Sequence, residues 1–488
     1  MEHDLGIYNL PKSWQLTFLG ELLDRTGGSV QTGPFGSQLH ASDYVDNGIP
    51  SVMPKNISVE KIDSSDIARV SQEDIKRLAK YQLAEGDIVY SRRGDVEKCA
   101  LVGVRENGWL CGTGCLRVRL GEVCEISPVF LHAYLSSPAI REWISRNAIG
   151  ATMPNLNTTI LRDVPLLIPD QKTIKMIESC WENINKRLIL SESQNQTLEQ
   201  MAQALFKSWF VDFDPVVDNA LAAGNPIPDE LAYRVEVRKK AHALADFQPL
   251  PEHIRNLFPN EFEQTGEPTI GIDGWVPSGW DIRVVYDLGV FINGAAYKKF
   301  EPNKEKKGIP IIKIAELKNG LTDNTGYSEV QMPEKYLLKD KDILFSWSGN
   351  PDTSIDTFVW TLGEAWLNQH IFKVEPRTIC NYEYLLSLLK YLKPVFSAIA
   401  RDKQTTGLGH VTVKDLKGIK VALPSEKLLE SFAGQAGSIF ERSYLNLKQS
   451  TELSVLRDYL LPKLISGEIQ LDSSTESSIN QEAELQGV

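Results

Sequence analysis

The chain has 488 residues and a formal net charge of −12, with 64 Asp and Glu residues against 52 Lys and Arg residues. This length allows two or three domains with their own cores, while the acidic balance counts against a protein that binds nucleic acid through a basic surface of its own. The sequence has no apolar run near the ~20 residues of a membrane span and no leader at its start, so we expect a cytoplasmic protein.

Residues 1–170 predict a globular domain of mixed strands and helices. Short β-rich runs such as residues 87–90 (DIVY) are bounded by Gly, Asp, Asn and Ser, which is typical of strands joined by turns. A helix is predicted at 128–146, followed by an extended segment that ends in LLIP. Four cysteines fall between 99 and 124, but their spacing lacks the paired C-x2-C of a zinc site. We therefore expect free thiols and no metal site.

Residues 171–212 predict one long helix. Apolar residues recur there at alternating steps of three and four, as in the seam of a coiled coil, and no Pro or Gly interrupts the series. At ~1.5 Å per residue such a helix reaches on the order of 60 Å, which is more than one compact core can cover. Its apolar stripe therefore needs a long partner.

The rest of the chain supplies that partner. Residues 213–275 are rich in Pro, Asn and acidic residues and predict a connector with one charged helix near 230–245. Residues 276–426 predict a second globular domain, with a helix at 382–401, and residues 427–469 predict a second long helix. The tail at 470–488 is polar and without basic residues, so we expect it to be disordered.

The two halves of the chain are internal repeats. Residues 81–95 (YQLAEGDIVYSRRGD) align with residues 336–350 (YLLKDKDILFSWSGN), an offset of 255 residues. The same offset carries Leu161 onto Leu416 and Leu198 onto Leu453, so one register holds over ~130 residues. The repeat predicts the same fold twice.

The predicted fold class is α/β (α+β), with two globular domains in a tandem pseudo-twofold repeat and two long helices that form an antiparallel coiled coil. Both helices have a polar middle, with Ser191 and Asn195 in one and Asn446 and Ser450 in the other. Such residues fix the register of a seam or leave a poorly packed, wet middle. The predicted helix-pair and subunit interface consists of Ile174, Ile177, Trp181, Ile184, Leu188, Leu198, Leu205, Trp209, Leu429, Phe432, Ile439, Leu453, Leu460 and Leu464.

The sequence shows no catalytic motif. It lacks the Gly-x4-Gly-Lys-Ser/Thr of a P-loop, and Gly112-Thr-Gly114 lacks the context of a dinucleotide fingerprint. Asn350-Pro351-Asp352 fails the Asn/Asp-Pro-Pro pattern of a DNA amino-methyltransferase at its third position. We therefore expect a non-catalytic chain. The alternatives are a single-chain methyltransferase or nuclease fusion and a coiled-coil adaptor that binds proteins.

Candidate DNA-binding residues lie where the two repeats diverge. After the strand that ends in Ser91 or Ser346, the first copy has Arg92 and Arg93 whereas the second begins with Trp347. An arginine pair leaving a rigid strand suits bidentate contact with guanine or phosphate. The remaining candidates are polar or basic residues in loops, which also act as turn formers or helix caps: Lys55, Asn56, Thr152, Asn155, Asn157, Lys298, Lys299, Lys313, Lys403, Gln404, Thr405 and His410.

The sequence resembles the specificity subunits of type I restriction-modification enzymes. The resemblance covers nearly the whole chain and rests on the L-P-x-x-W opening, on residues 34–52 and on the GDIVYS and KDILFS strands. Its most specific parts are residues 198–217 (LEQMAQALFKSWFVDFDPVV) and 456–469 (LRDYLLPKLISGEI), which look like the helix endings of that family.

The resemblance implies that two target-recognition domains, held apart by the coiled coil, each read one half of a bipartite site in double-stranded DNA. It also implies that two methyltransferase subunits dock on the helices and that motor-endonuclease subunits complete a complex that restricts unmodified DNA in phage defence. S-adenosylmethionine, ATP and Mg²⁺ are then expected in those partners, with no cofactor in this chain. Adenine methylation is likewise expected of the partners.

Overall fold

The computed structural model describes residues 13–58, 61–64, 66–150, 154–322, 324–404 and 407–469. The chain forms two compact units. Unit 1 comprises the residues up to 189 together with those from 452 onward, and unit 2 comprises residues 190–451. The tail predicted at 470–488 lies outside the described residues. No helix in the described part of the chain is long and apolar enough to cross a membrane.

The part of unit 1 that precedes the first long helix alternates short strands and helices. Its strands are β1 (Gln15–Phe18), β2 (Ser29–Thr32), β3 (Tyr44–Val52), β4 (Ala68–Val70), β5 (Ile88–Ser91), β6 (Cys99–Leu101), β7 (Leu110–Cys111), β8 (Cys115–Arg119) and β9 (Pro165–Ile168). Its helices are α1 (Leu19–Thr26), α2 (Gln72–Arg77), α3 (Pro128–Leu135), α4 (Pro138–Asn147) and α5 (Thr158–Arg162). Four strands form a sheet in the order β2-β8-β5-β6, and three more form β4-β3-β7. Strand β1 pairs antiparallel with β9, directly before the first long helix.

The first long helix is α6 (Gln171–Phe210), where the sequence predicts a helix at 171–212. The segment predicted as a connector, residues 213–275, has helices and a strand of its own. That segment contains α7 (Asp214–Ala223), α8 (Ala232–His242), α9 (Glu252–Arg255) and β10 (Phe262–Gln264). Its apolar residues, among them Phe213, Val216 and Phe258, are buried in the core of unit 2 with Trp280. Residues 213–275 are therefore part of a folded unit, although their composition suggested only a link.

Unit 2 repeats the strand arrangement of unit 1. Its remaining strands are β11 (Trp275–Pro277), β12 (Asp281–Val284), β13 (Gly289–Asn293), β14 (Ile309–Ile312), β15 (Tyr327–Ser328), β16 (Leu337–Leu338), β17 (Ile343–Ser346), β18 (Ser348–Gly349), β19 (Asp356–Val359), β20 (Ala365–Leu367), β21 (Ile371–Pro376), β22 (Gly409–His410) and β23 (Lys420–Leu423). Its remaining helices are α10 (Val285–Leu288), α11 (Ile314–Asn319), α12 (Tyr382–Tyr391), α13 (Lys393–Asp402), α14 (Val413–Gly418) and α15 (Glu426–Ile465). The sheet order β13-β21-β17-β19 reproduces β2-β8-β5-β6, and β12 pairs with β23 as β1 pairs with β9.

Two predicted helices are each divided in the structure. The helix predicted at 128–146 consists of α3 and α4, and that predicted at 382–401 consists of α12 and α13. Pro138 and Pro394 stand in the first turn of the second helix of each pair. Proline has no backbone N–H and collides with the preceding turn, so a helix cannot run through these positions without a kink or a break.

The two long helices pack together within unit 1 around Trp181. The N-terminal part of α6 buries Ile174, Ile177 and Trp181 in one core with Leu461 and Leu464 of α15. One ring face of Trp181 lies 5.7 Å from the guanidinium carbon of Arg457. His132 meets the Trp181 ring edge to face at 5.4 Å, and burial lowers the pKa of this histidine to about 4. The imidazole is therefore neutral at physiological pH.

Within unit 2 the other halves of the same helices pack through aromatic rings. Phe206, Trp209 and Phe210 of α6 lie 5.0 to 6.2 Å from the ring of Phe432 on α15. All four side chains are at most 6% exposed. The C-terminal part of α6 therefore packs on the N-terminal part of α15, which is the antiparallel pairing that the sequence predicts.

All fourteen predicted interface residues of the long helices are buried or half-buried. Those that are fully buried include Ile174, Ile177, Trp181, Trp209 and Phe432, whereas Leu188, Leu198, Leu205, Ile439, Leu453 and Leu460 are half-buried. The structure adds buried helix residues that the strict three-four spacing leaves out: Phe206, Phe210, Leu428, Leu461 and Ile465. These residues face the globular cores. The apolar stripe is consequently wider than a two-helix seam requires.

The polar middle of the helix pair contains a hydrogen-bonded amide pair in unit 2. Asn446 is 3% exposed and donates from Nδ2 to Asn195 Oδ1 at 3.1 Å and to Gln194 Oε1 at 3.3 Å. Asn195 in turn donates to the backbone carbonyl of Ser443 at 3.3 Å. These contacts favour the explanation in which buried polar groups fix the helix register over that of a wet, poorly packed middle.

Lys341, in a turn of unit 2, has a strained backbone conformation, and its side chain contacts α15. Lys341 has φ of 72°, where the equivalent residue of the first repeat is Gly86 with φ of 87°. A left-handed conformation costs a non-glycine residue about 1 kcal/mol. The Lys341 side chain forms an ion pair of 2.7 Å with Glu441 and lies over the ring of Tyr444. This contact accounts for a lysine at a position that favours glycine.

We predict that Asn446→Ala lowers the free energy of unfolding by about 1–3 kcal/mol, because it leaves the half-buried side-chain oxygen of Asn195 without this donor. Replacing Asn195 and Asn446 together by Leu removes both partners and should recover most of that loss. Chemical denaturation measures both effects. The matched control is Gln449→Ala, which is exposed on the same helix. Equal stabilities of Asn446→Ala and Gln449→Ala would show that the amide pair does not hold the helices in register.

Candidate nucleic-acid interface

Three loops of unit 1 meet where strand β5 ends. The segment after β5 forms an isolated bridge with the segment before α5, between Arg93 and Asn155. The backbone N–H of Arg92 donates to Gly114 at 2.8 Å, and its carbonyl accepts from Leu156 at 2.9 Å. The main chain therefore holds the two arginines at a fixed place, whatever their side chains contact.

The side chains of three predicted DNA-binding residues lie together at this junction. Arg92 is half-buried, and its Nε donates to Asn155 Oδ1 at 3.3 Å. Its guanidinium carbon lies 5.9 Å from the ring of Phe35, which belongs to the loop after β2. Arg93 is exposed. Asn155 and Phe35 thus orient one guanidinium, while the other faces solvent.

Lys55 belongs to the neighbourhood of this junction but Asn56 has a structural role. Gly114, the acceptor of the Arg92 N–H, packs against Pro54, which directly precedes Lys55. The Lys55 side chain is 57% exposed and forms an ion pair with Asp66, which is 92% exposed. Such a surface pair contributes little and opens readily to another anion. Asn56 is buried, and its amide accepts from Met53 N and donates to the Asp63 carbonyl, both at 3.0 Å.

Two further candidates are corrected to buried scaffold residues, and a third caps a helix. Ser91 and Ser346, the last residues of β5 and β17, are 2% and 0% exposed. A buried hydroxyl presents no surface to DNA. Asn157 caps helix α5, since its side-chain oxygen accepts from Ile160 N at 2.8 Å. This is the role in which an Asn before a helix most commonly serves.

Unit 2 has the same junction with different chemistry. Ser348 pairs with His410, at the register at which Arg93 pairs with Asn155 in unit 1. Trp347 takes the place of Arg92, and Val411 N donates to its carbonyl at 2.8 Å. The indole N–H donates to Asn293 Oδ1 at 3.1 Å, and the ring lies 5.2 Å from His370 and 5.7 Å from Phe372. Trp347 therefore packs along the sheet and uses its one donor within the protein.

His370, whose ring contacts that of Trp347, has a left-handed backbone conformation. Its φ is 77°, where the corresponding residue of unit 1 is Gly114 with φ of 83°. The pKa of His370 is lowered, first by burial and second by the proximity of His410. The ring is therefore held neutral, and each of its nitrogens serves as either donor or acceptor according to the tautomer.

The predicted lysines of unit 2 fall into one cluster and one separate position. Lys298 and Lys299 are exposed on a 3-10 turn that begins at Tyr297, and the ammonium of Lys313 lies 5.3 Å from the Tyr297 ring. Lys313 also has Glu316 at 3.5 Å. Lys403 pairs instead with Asp415 at the other end of the loop that precedes α14. The three lysines near Tyr297 form the clearer basic patch.

Four candidates remain, and the structure describes two of them. Gln404 is exposed, and His410 is half-buried beside Ser348. Thr152 and Thr405 lie outside the described residues.

Sequence reasoning missed the neighbours that orient the candidates. In unit 1, Phe35 lies against Arg92, and Ile149 bonds through its main chain to Asn155. In unit 2, Asn293 and His370 contact Trp347. Phe35 gave one usable signal, because it is a large apolar residue between Pro34 and Gly36 in a loop. The others are far from their partners in the chain, and only the fold brings them together.

The structure offers no metal centre among the described residues, where no group of three His, Cys, Asp or Glu side chains converges as ligands would. All six cysteines are free thiols, four of them buried. Burial raises the pKa of Cys111 and Cys380 to about 12, which keeps both protonated.

Unit 2 also has a cavity of about 790 Å³ between the long helices and the turn at Lys341, but none of the predicted DNA-binding residues lines it.

The duplicated junction agrees with the comparison to known families. The model of the type I restriction modification DNA specificity domain matches the chain twice, at residues 11–200 and 277–428. The chain belongs to this family of DNA specificity domains. The two matches cover most of the chain and coincide with the two structural repeats.

Relatives of this specificity-domain chain match most of its length. It is 29% identical over 424 residues to the type I restriction enzyme HindI specificity subunit of Haemophilus influenzae, covering 81% of this chain and 89% of the relative. The MjaIX specificity subunit of Methanocaldococcus jannaschii is 21% identical, with 96% of both chains covered. A crystal structure of a type I restriction-modification system S subunit from M. genitalium has a TM-score of 0.47 at 15% identity, covering 93% of this chain and 96% of that chain.

We predict that two adjacent residues of this specificity-domain chain have different roles: Asn56 stabilises the fold, whereas Lys55 is free to contact DNA. Asn56→Ala should lower the free energy of unfolding by about 1–3 kcal/mol, because Met53 N and the Asp63 carbonyl lose their buried partner. Lys55→Ala should change it by less than about 0.5 kcal/mol, since an exposed ion pair contributes little. Chemical denaturation and DNA binding are measured on both variants. Loss of DNA binding by Asn56→Ala at unchanged stability would return Asn56 to the interface.

Proposed function

We propose that this chain is the DNA-reading subunit of a type I restriction-modification complex, in which each unit reads one half of a bipartite site in double-stranded DNA. The observation that carries the proposal is the three-loop junction, which recurs in both units on one backbone register but with different side chains. A duplicated scaffold with Arg92, Arg93 and Asn155 in one copy and Trp347, Ser348 and His410 in the other suits two half-sites of different sequence.

The chemistry of the unit 1 junction favours base reading through arginine. Arg92 is oriented by Asn155 and by the ring of Phe35, so its planar fork is ordered before DNA arrives. A preordered guanidinium loses less entropy on binding and suits the O6 and N7 atoms of guanine. Arg93 and Lys55 are exposed beside it and suit phosphate. In unit 2, Lys298, Lys299 and Lys313 would supply the phosphate contacts.

We propose that methyltransferase subunits dock on the long helices. Large apolar residues remain exposed there at equivalent positions of the two repeats: Leu190 and Leu445 are 57% and 48% exposed, and Met201 and Leu456 are 51% and 45% exposed. Exposed apolar residues that recur in a repeat suit two copies of one partner. In this proposal the partners supply the S-adenosylmethionine chemistry of adenine methylation, and motor-endonuclease subunits supply the ATP- and Mg²⁺-dependent steps.

The chain itself is proposed to be non-catalytic. The acidic net charge of −12 is consistent with partners that share the contact with phosphate. Methyl transfer to DNA by the isolated chain, measured with radiolabelled S-adenosylmethionine, would favour the single-chain methyltransferase instead. A coiled-coil adaptor without DNA function would assemble with the partners but give no sequence-selective protection of duplex DNA.

We predict that Arg92→Ala and Arg93→Ala act on one half-site alone. Each should reduce discrimination within the half-site that unit 1 reads, by about 1–3 kcal/mol where the arginine makes a bidentate base contact, because alanine cannot replace the fork. The half-site of unit 2 should keep its preference. The measurement is binding and methylation of a bipartite DNA library by the assembled complex.

The matched control for this prediction is Arg105→Ala, an exposed arginine of unit 1 away from the junction. Its sequence preference should equal that of the unaltered chain. Equal relaxation of both half-sites, or no change in the two junction variants, would refute the assignment of unit 1 to one half-site.

We predict that Met201→Gln and Leu456→Gln each weaken the docking of one methyltransferase subunit. Glutamine keeps the length and helix propensity of the side chain but removes its apolar surface. Native mass spectrometry should show loss of one partner in each single variant and of both in the double variant. Gln196→Ser serves as control, because Gln196 is an exposed polar residue on α6, the helix that carries Met201. Unchanged stoichiometry in the double variant would move the docking surface elsewhere.

A further inference from the structure

Two large apolar side chains are exposed at the unit 1 junction. Phe35 is 54% exposed and Ile149 is 63% exposed. Exposed apolar residues are common one at a time, but these two are linked to the same arginine, Arg92. Phe35 lies against Arg92, and Ile149 bonds through its main chain to Asn155, which accepts from Arg92.

Local hydrogen bonds hold both residues in place. The Phe35 carbonyl accepts from the backbone N–H of Gln38 at 2.8 Å, and the Phe35 N–H donates to the Gln38 side-chain oxygen at 3.3 Å. Ile149 and Asn155 exchange backbone hydrogen bonds of 3.1 and 2.9 Å. Both segments are therefore fixed with their apolar side chains outward. A rigid apolar group in solvent is suited to contact a ligand at little entropic cost.

Arg92 indicates which surface that ligand presents. Arg92 uses Nε for Asn155, and among the described residues its two terminal nitrogens meet no acceptor. These terminal donors fit the O6 and N7 atoms on the major-groove edge of guanine. The apolar group on the same groove edge of DNA is the 5-methyl group of thymine.

We propose that Phe35 and Ile149 contact thymine 5-methyl groups in the half-site read by unit 1. This inference rests on the proposed function, because it requires unit 1 to bind DNA through this junction. It concerns unit 1 because Trp347, which replaces Arg92 in unit 2, directs its N–H to Asn293 and its ring to Phe372. The unit 1 half-site therefore contains at least one thymine that is recognised through its methyl group.

The experiment removes the methyl group without changing base pairing. The half-site is first mapped from methylated DNA. Each of its thymines, on either strand, is then replaced singly by uracil, and the affinity of the assembled complex is measured by competition. We expect at least one replacement to weaken binding about fourfold, which corresponds to ~0.8 kcal/mol for one buried methyl group.

The same duplexes are then bound by complexes that carry Phe35→Ala or Ile149→Ala. At the sensitive thymine, at least one variant should bind the thymine and uracil duplexes with about equal affinity. The same variant should still discriminate against other base changes. Both side chains are exposed, so the unfolding midpoint should not change. Val123→Ala is the matched control, because Val123 is an 87% exposed apolar residue of unit 1 outside the junction.

The outcomes separate this inference from the proposed function. It is overturned if every uracil replacement is silent, if the half-site has no A·T pair, or if both variants keep the full preference for thymine. Arg92→Ala is measured in parallel. If it relaxes the half-site while uracil is silent, DNA reading stands and the methyl contact fails. If neither change has an effect, the proposed function fails as well.

Discussion

The rest of the structure depends on one constraint: the two long helices must bury their apolar faces. Helices α6 and α15 have 40 residues each, more than one globular core can enclose, and each contributes one part to unit 1 and the other to unit 2. In unit 1 the contact centres on Trp181, and in unit 2 on the aromatic cluster around Phe432. Each pairing also joins the helices to the core of its own unit. Folding of either unit therefore needs segments from distant parts of the sequence.

The same arrangement places the candidate recognition loops next to rigid elements. Strands β1 and β9 pair directly before α6, and β12 and β23 pair directly before α15. The loops before α5 and α14, which contribute Asn155 and His410, therefore lie shortly upstream of a paired strand and a long helix. Candidate recognition residues are thus held by main-chain hydrogen bonds, and their side chains are ordered by a few specific neighbours.

Much of the fold could be predicted from the sequence because periodicity and repetition are local signals. The three-four spacing predicts α6, and the offset of 255 residues predicts that Ile88–Ser91 and Ile343–Ser346 are equivalent strands. The role of residues 213–275 was not predictable from their polar composition, because Phe213 and Phe258 are buried only when unit 2 assembles. The divided helices at Pro138 and Pro394 could have been read from proline alone.

Much less of the candidate interface could be predicted. Divergence between the repeats identified Arg92 and Trp347, but it could not show that one side chain contacts Phe35 and the other donates to Asn293. Asn56 and Asn157 illustrate the converse case, because an amide in a loop gives the same sequence signal whether it bonds to the protein or to a base. Only packing separates the two roles.

The bridges from Arg93 to Asn155 and from Ser348 to His410 are made by main-chain atoms. An arginine and a serine can therefore occupy the same place in one scaffold without loss of the bond that holds the loops. We expect substitutions at these positions to change the exposed side chains of the junction while leaving the free energy of folding largely unchanged. If each unit reads one half-site, as proposed above, a protein built in this way can acquire a new DNA target in one half through few amino-acid changes while the other half retains its own.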